Sequence, residues 1–319
     1  MSRRKSKGRR LDGILLLDKP LGISSNKALQ IVKRLFNAQK AGHTGSLDPL
    51  ATGMLPICFG EATKVSSFLL ESNKSYQTTA TLGKITTTGD AEGEVLQERT
   101  IPSLNEIEIH KILARFKGTI SQIPPMYSAL KHQGQPLYKL ARKGIEIERK
   151  RRKITIFDLT LSSYTTHSLS LHISCSKGTY IRTLVEDIGE ALGCGAYISM
   201  LKRTTVDPFD DHQMVSLDTL EKYATENKNI DRLLLSTDVG LSHFQAVTLN
   251  EKDTIAYLYG QPVAIEPLFS HLKEGLTDSS ATTYLRTYDY RERFLGLSIL
   301  SSHKGIVPKR LMVKQDNHQ

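Results

Sequence analysis

The sequence has few cysteines, no long apolar run and no phosphate-binding loop, and each absence excludes a class of protein. Its 319 residues contain three cysteines, Cys58, Cys175 and Cys194, without Cys-x-x-Cys spacing or a Cys/His cluster. This usage argues against a disulfide framework and a structural zinc site, and it is typical of a reducing cytoplasm. The longest apolar runs, 13–17 and 294–300, are far shorter than the roughly 18–20 residues that span a bilayer. We therefore expect a cytoplasmic protein that neither enters a membrane nor is exported.

The composition is that of a folded protein. Hydrophobic residues make up 39% of the chain and charged residues 24%, which excludes collagenous, low-complexity and wholly disordered classes. At about 150 residues per domain, the length predicts two domains, or one large domain with an appendage.

The positive charge is concentrated in two segments. The net charge is +10, yet residues 1–10 hold six basic residues and no acid, and residues 131–153 hold nine basic residues and two acids. Outside these segments the chain is slightly acidic. Such concentrations suit a polyanion such as nucleic acid, because each neutralised phosphate releases counterions. The alternative is a solubilising tail and a solvated helix face.

Hydrophobic periodicity predicts an α+β fold. Helices and strands mix without a βαβ rhythm, which favours a mainly antiparallel sheet flanked by helices over a doubly wound one. The predicted strands are 13–18, 76–82 and 169–175, and the predicted helices are 25–37, 107–116 and 180–192.

The last quarter of the chain has a different pattern. After a helical region at 217–235 we place a boundary near 238–249. Short apolar segments then alternate with turn residues, which predicts a small β-barrel or sandwich of about 70 residues. Its predicted strands are 244–249, 294–300 and 306–313.

The densest candidate for chemistry is the segment 42–56. It contains three glycines and two prolines, with His43 as its histidine and Asp48 as its carboxylate. We interpret it as a rigid loop that presents a carboxylate and an imidazole to a ligand; the alternative is an Asp-Pro turn with a capping aspartate. It does not match the Gly-x-x-x-x-Gly-Lys-Ser/Thr phosphate loop.

A second candidate runs from a predicted strand through Gly178 into a helix. Arg182 would lie in the first helical turn, where the helix dipole disfavours a cation, so a carboxylate such as Asp48 or a phosphate is the expected partner. Tyr180 would lie beside it. Alternatively, these residues are a surface arginine and a half-buried tyrosine.

Two further residues are candidates with plain alternatives. Tyr76 opens a predicted strand, where its ring could stack on a base and its hydroxyl could transfer a proton, or it could simply line the core. Lys64 could support a site or be a solvated charge.

Together these motifs resemble the bacterial tRNA pseudouridine-55 synthase (TruB) family. The resemblance is carried by Asp18-Lys-Pro20, the segment 42–56, Lys64, Tyr76 and Gly178-Thr-Tyr-Ile-Arg-Thr-Leu184, in this order and spacing. Residues 294–297 and 307–311 resemble the end of the PUA RNA-binding domain that closes this family. The family implies a pseudouridine synthase fold, a central mixed sheet, with a C-terminal β-barrel-like PUA domain.

The resemblance implies isomerisation of the T-loop uridine of tRNA to pseudouridine, without metal or cofactor. Asp48 would be the catalytic nucleophile on the sugar or the base, or would assist loss of a ribose proton. Arg182 would pair with it and keep it ionised. Tyr76 would stack on the base and move the C5 proton, and Tyr180 and Leu201 would line the uridine pocket.

The same resemblance assigns residues to the RNA. His43 would fill the stack that the flipped base vacates, and Lys19 and Lys64 would support the active site. An RNA-clamping insertion at about 124–153 would contribute Lys131, Arg142, Lys143, Arg149, Lys150, Arg151 and Arg152.

The implied domains are a basic disordered tail (1–10), a catalytic domain (11–240) and a PUA-like domain (241–319). We expect a monomer that needs no protein partner. Two rival hypotheses are a guide-dependent ribosomal RNA pseudouridine synthase, which needs partner proteins, and a non-catalytic RNA-folding module.

Overall fold

A mixed sheet forms the centre of the larger part of the molecule. The structure is a computed structural model that describes residues 8–210, 212–264 and 282–312. The strands are β1 (Gly13–Lys19), β2 (Ala41–His43), β3 (Ala51–Phe59), β4 (Lys74–Leu82), β5 (Lys84–Thr86), β6 (Val95–Glu98), β7 (Gly118–Gln122), β8 (Lys131–His132), β9 (Gln135–Pro136), β10 (Arg152–Thr165), β11 (Ser168–Cys175), β12 (Ala196–Val206), β13 (Val215–Ser216), β14 (Gln245–Thr248), β15 (Tyr284–Tyr288), β16 (Phe294–Ser301) and β17 (Gly305–Leu311).

The order of the central sheet is β13-β1-β3-β12-β4-β11-β10-β7, and β2 pairs with β3. The pairs β1–β13 and β3–β12 are parallel, whereas the other pairs of this sheet are antiparallel. This arrangement confirms the predicted α+β class with a mixed, mainly antiparallel sheet.

Helices pack against the sheet through faces that the periodicity predicted. They are α1 (Ser25–Leu35), α2 (Ser66–Glu71), α3 (Glu106–Ala114), α4 (Leu137–Ala141), α5 (Ile181–Ala191), α6 (Leu217–Thr225) and α7 (Glu251–Leu258). Ser24 caps α1 by accepting from the Lys27 N–H, and Ala28, Leu29 and Val32 form its buried face. Within the described ranges, no helix is long and apolar enough to cross a membrane.

The C-terminal strands form a second sheet with its own core. Its order is β14-β15-β16-β17, and its buried residues include Tyr257, Leu285, Leu295 and Ile306. Among the described residues β14 and β17 are the two ends of this sheet and do not pair, so a closed barrel is not observed. Phe68 from the larger part contacts Phe244 and Tyr284 edge-on, with ring centroids 5.4 and 5.1 Å away, and joins the two sheets.

Two predicted segments differ in the structure. The segment 42–56 is not a loop throughout: β2 reaches His43 and β3 begins at Ala51. The strand was not predicted because its glycine and proline are typical of turns. Gly53 is nevertheless required in it, because a Cβ at its φ of +95° would lie 2.2 Å from the Arg203 carbonyl oxygen of β12. The helical region 217–235 ends its α-helix at Thr225, since Asn227 takes a left-handed φ of +51°, and continues only as a short 3-10 turn.

The basic tail and the insertion both have ordered parts. Residues 1–7 lie outside the described residues, but Arg9 donates to the Asp231 carboxylate at 2.7 and 3.0 Å and to the Phe36 carbonyl at 3.1 Å. The insertion contains the β8–β9 hairpin and α4 around a small apolar cluster of Met126, Leu137 and Leu140. Its last residues form the start of β10, which was not predicted because the run of basic residues interrupts the apolar alternation of a strand.

Candidate active site

The loop between β2 and β3 presents Asp48 and is held by buried polar contacts. Ser25 Oγ accepts from the Leu47 N–H at 2.7 Å and donates to the Leu47 carbonyl at 2.9 Å. Lys19 is fully buried, and its Nζ donates to the carbonyls of Pro20, Ile23 and Pro49. Lys19 therefore braces the loop through main-chain oxygens, while the Asp48 side chain keeps 48% of its surface exposed.

Arg182 in the first turn of α5 is the partner of Asp48. Its Nη2 lies 3.1 Å from Asp48 Oδ2, and the arginine is only 6% exposed. The guanidinium also donates to the carbonyl oxygens of Thr88 at 2.8 Å and Tyr127 at 2.6 Å. These contacts fix its plane, so one carboxylate oxygen of Asp48 is held while the other remains available.

A second carboxylate, which sequence reasoning missed, lies on the other side of Arg182. Asp90 is 3% exposed, and its Oδ2 lies 3.7 Å from Arg182 Nη1. Its other oxygen accepts from the Thr88 hydroxyl at 2.5 Å and the Glu92 N–H at 3.1 Å. The polar turn at 88–92 was the available signal, because a buried aspartate within a turn needs a partner.

The Asp48 and Glu186 carboxyl groups hold their protons more strongly than free carboxyl groups in water. Desolvation raises the pKa of Asp48, Arg182 opposes this rise, and the charge of Asp90 adds to it. Arg182 therefore favours the ionised form of Asp48, as expected, but the net effect of the surroundings is a raised pKa. Burial likewise raises the pKa of Glu186, one helical turn along α5, to about 7.

Tyr76 lies in β4, between Ile173 of β11 and Arg203 of β12. It is 7% exposed, and burial raises the pKa of its hydroxyl, whereas the charge of Arg203 lowers this pKa. The charge of Asp48 raises the pKa of the Tyr76 hydroxyl further.

Tyr180 and Leu201 border the same site. The Gln122 side chain holds the Tyr180 backbone by donating to its carbonyl at 3.0 Å and accepting from its N–H at 2.9 Å. Burial raises the pKa of the Tyr180 hydroxyl. Leu201 is 8% exposed and pairs in β12 with Ala51, the first residue of β3 after the Asp48 loop.

His43 and Lys64 differ in their position relative to Asp48. His43 ends β2, where burial and then the charge of Arg203 lower its pKa, so the imidazole is neutral at physiological pH. Lys64 lies apart: its ammonium pairs with Glu61 and donates to the Leu311 carbonyl at 2.7 Å. The structure thus places Lys64 at the contact with the C-terminal sheet, not beside Asp48.

The basic insertion presents most of its predicted cations to solvent. The exposed ones are Lys131, Arg142, Lys143, Lys150, Arg151 and Arg152. Arg149 differs, because its side chain is 22% exposed and donates to the Glu146 carboxylate at 2.8 Å. Arg142 lies over the Tyr138 ring at 5.6 Å, which pairs a cation with an aromatic face. Across the described parts of the chain, no group of three or more His, Cys, Asp or Glu side chains is placed to hold a metal ion.

Two solved structures share the fold of this chain. The chain superimposes on a chain of a structure titled Crystal Structure of a Cbf5-Nop10-Gar1 Complex with a TM-score of 0.71 and 21% identity, covering 95% of this chain and 86% of the other. It also matches a structure of an H/ACA RNP bound to a substrate RNA containing 2'-deoxyuridine, with a TM-score of 0.70, 18% identity and coverage of 99% and 92%. These similarities show the pseudouridine synthase fold.

Sequence comparison then specifies the family. Residues 33–181 match the TruB family pseudouridylate synthase N-terminal domain, and residues 182–242 match the tRNA pseudouridylate synthase B C-terminal domain. Proteins named tRNA pseudouridine synthase B are 51% identical in Pseudomonas fluorescens and 50% in Coxiella burnetii, covering 95% and 96% of this chain and 96% of each relative. The chain belongs to the TruB family of pseudouridylate synthases, and it is therefore an isomerase.

Proposed function

We propose that the protein converts the T-loop uridine of tRNA, uridine-55, to pseudouridine, with Asp48 as the nucleophile. The observation that carries this proposal is the Asp48–Arg182 pair, in which a half-exposed carboxylate is held at 3.1 Å by a buried guanidinium. In this proposal Tyr76, Tyr180 and Leu201 provide the flat and apolar surfaces that a uracil ring requires. The names of the relatives support tRNA as the substrate.

The chemistry is a redox-neutral exchange of one bond for another. The N1–C1' glycosidic bond breaks, the uracil turns, and a C5–C1' bond forms in its place. The proton on C5 is then removed and N1 gains one, so the atoms balance. Asp48 either bonds to the sugar or the base, or assists loss of a ribose proton, and Arg182 opposes its protonation in each case.

The target uridine must leave its stack to reach Asp48. Extrusion costs a few kcal/mol, which contacts with the RNA must offset. His43 lies at the entrance of the Asp48 loop and is neutral, so its ring suits the stacking position that the base vacates. Tyr76 offers the opposing ring inside the site.

The basic insertion is proposed to hold the RNA. Its exposed cations, Lys131, Arg142, Lys143 and 150–152, are placed to contact phosphates, whereas Arg149 acts mainly by packing the insertion. We assign residues 11–240 to the catalytic domain and residues 241–319 to a PUA-like RNA-binding domain. The protein is proposed to act alone, as a monomer.

The test is tritium release from C5-labelled uridine in an unmodified tRNA transcript, with purified protein and nothing else added. Release that maps to uridine-55 is expected. Asp48→Asn should bind the transcript with wild-type affinity and release no tritium, because only the nucleophile is changed. Tight binding without release by the wild type would contradict the proposal and favour an RNA-folding module or a guide-dependent complex.

A salt series tests the insertion. Replacing Lys150, Arg151 and Arg152 by alanine should lower the slope of log Kd against log salt by the amount expected for the loss of about three phosphate contacts. Single-turnover chemistry at saturating RNA should be unchanged. Arg149→Ala is the matched comparison, because its guanidinium is engaged by Glu146, and it should change the slope less. Equal slopes for the triple variant and the wild type would refute this RNA contact.

A further inference from the structure

Arg203 is a fully buried cation next to the active site. It is 1% exposed and lies in β12, where its backbone pairs with Tyr76 of β4 on one side and Gly53 of β3 on the other. Strand alternation puts it on the same face of the sheet as Leu201. A charge in the middle of a central strand carries a desolvation cost, so its role needs an explanation.

Its guanidinium is locked in one orientation by main-chain oxygens. Nε donates to the Met54 carbonyl at 2.7 Å, and Nη2 donates to the Gly45 carbonyl at 2.8 Å. Gly45 lies in the turn that leads to Asp48 and has a left-handed φ of +69°. One side chain therefore ties β3 and the Asp48 loop to the strand that carries Arg203.

The positive charge of Arg203 is not neutralised by a carboxylate. Among the described residues its hydrogen-bond partners are these two carbonyls, it forms no ion pair there, and Tyr76 is its cross-strand neighbour on β4. An arginine does not lose its proton in a protein, so the full charge persists behind the phenol. A buried cation without a counter-ion stabilises whatever anion forms beside it.

Unlike the lysines and the histidine near it, Arg203 keeps its charge throughout the physiological pH range. Burial lowers the pKa values of Lys74 and Lys19 to about 8, and Arg203 contributes to both shifts. His43 is neutral for the same two reasons. The other groups that act on the Tyr76 hydroxyl are Cys175 from β11 and Asp48 from the loop, and the charged form of each disfavours a phenolate.

We propose that Arg203 is a positioning residue whose buried and fixed charge, next to Tyr76 in the sheet, stabilises the anion of the Tyr76 hydroxyl, so that Tyr76 removes the C5 proton. This inference rests on the proposed function. In the step, the phenolate oxygen takes the proton from C5, and the electron pair of the C5–H bond restores the C5=C6 double bond as N1 gains a proton from the phenol or from water. No oxidant or co-reactant is required.

A double-mutant cycle tests the proposal. Single-turnover tritium release is measured at saturating tRNA for wild type, Tyr76→Phe, Arg203→Lys and the double variant. Arg203→Lys keeps the charge but cannot reproduce the forked donors, and we expect it to slow release about 10- to 100-fold, the range for one charge-assisted hydrogen bond. Lys202→Met is the control, because its side chain lies on the opposite face of β12, and its rate should stay within about 2-fold of the wild type.

The cycle has distinct outcomes. If Arg203 acts through Tyr76, the double variant reacts within about 2-fold of Tyr76→Phe alone, because the second change removes nothing further. A double variant slowed by the product of the two single effects would overturn the proposal. If the wild type releases no tritium from the tRNA, the proposed function fails first, and the cycle is not reached.

A second measurement leaves Arg203 intact and so does not depend on the stability of its variants. Incorporating 3,5-difluorotyrosine at position 76 makes the phenol more acidic without removing the ring. The rising limb of the pH profile of the single-turnover rate should then shift to lower pH. An unchanged limb in the difluorotyrosine protein would show that the Tyr76 anion does not take the proton.

Discussion

Gly53→Ala should destabilise the catalytic part because this glycine is where β3 meets the backbone of β12. Its φ of +95° costs an alanine about 1–2 kcal/mol. Its new Cβ would also lie 2.2 Å from the Arg203 carbonyl oxygen and 3.0 Å from the Arg203 nitrogen, so the parallel pair must separate. Displacing a packed backbone adds about 1–3 kcal/mol. We expect a total loss of about 2–5 kcal/mol.

The assay is urea unfolding followed by circular dichroism, with Gly193→Ala as the matched control. Gly193 has a similar φ of +85°, but nothing lies within 4 Å of its added Cβ, so only the backbone cost of about 1–2 kcal/mol applies. The difference between the two variants isolates the contact with Arg203. Equal destabilisation would refute the argument that β3 needs glycine for this close approach.

Three further predictions concern buried polar groups. Because the pKa of Lys74 is lowered to about 8, its protonated form destabilises the fold at neutral pH, and this penalty should disappear as the pH rises from about 8 towards 10.5. Between pH 7.5 and 9.5 the free energy of unfolding, measured with urea, should therefore increase less for Lys74→Met than for the wild type. Equal increases would contradict the lowered pKa of Lys74. Gln122→Leu leaves the Tyr180 N–H and carbonyl unpaired and should cost about 2–4 kcal/mol, measured by thermal unfolding; a wild-type Tm would contradict this. Lys64→Met should keep the single-turnover rate within about 2-fold, because its ammonium contacts Glu61 and the Leu311 carbonyl; a loss above 10-fold would return Lys64 to the active site.

The elements found from sequence are those whose burial differs between their two faces. The alternation in Tyr76–Leu82 and the spacing of apolar residues in α1 and α5 predicted their elements to within about two residues of the observed ends. The Asp48 loop and Arg182 were likewise predicted as partners, because a cation in the first turn of a helix needs an anion.

The strands that were not predicted from the sequence contain residues that are unusual in a buried strand. β3 contains Gly53 and Pro56, which are typical of turns, yet the strand is central because another backbone needs the space beside Gly53. β12 contains Lys202 and Arg203, which break its apolar alternation. The charge that broke the apolar pattern of β12 lies beside Tyr76, so sequence reasoning failed at a residue for which we propose a role in the site.

The Tyr127 carbonyl gives the insertion a direct hold on the catalytic pair. Arg182 Nη2 donates to this carbonyl at 2.6 Å and lies 3.1 Å from Asp48, so a single nitrogen is shared between the insertion and the Asp48 carboxylate. A displacement of residue 127 is therefore expected to alter the contact between Arg182 and Asp48. If the insertion holds the RNA, as we propose, RNA binding and the protonation of Asp48 are coupled, and the coupling acts equally in both directions.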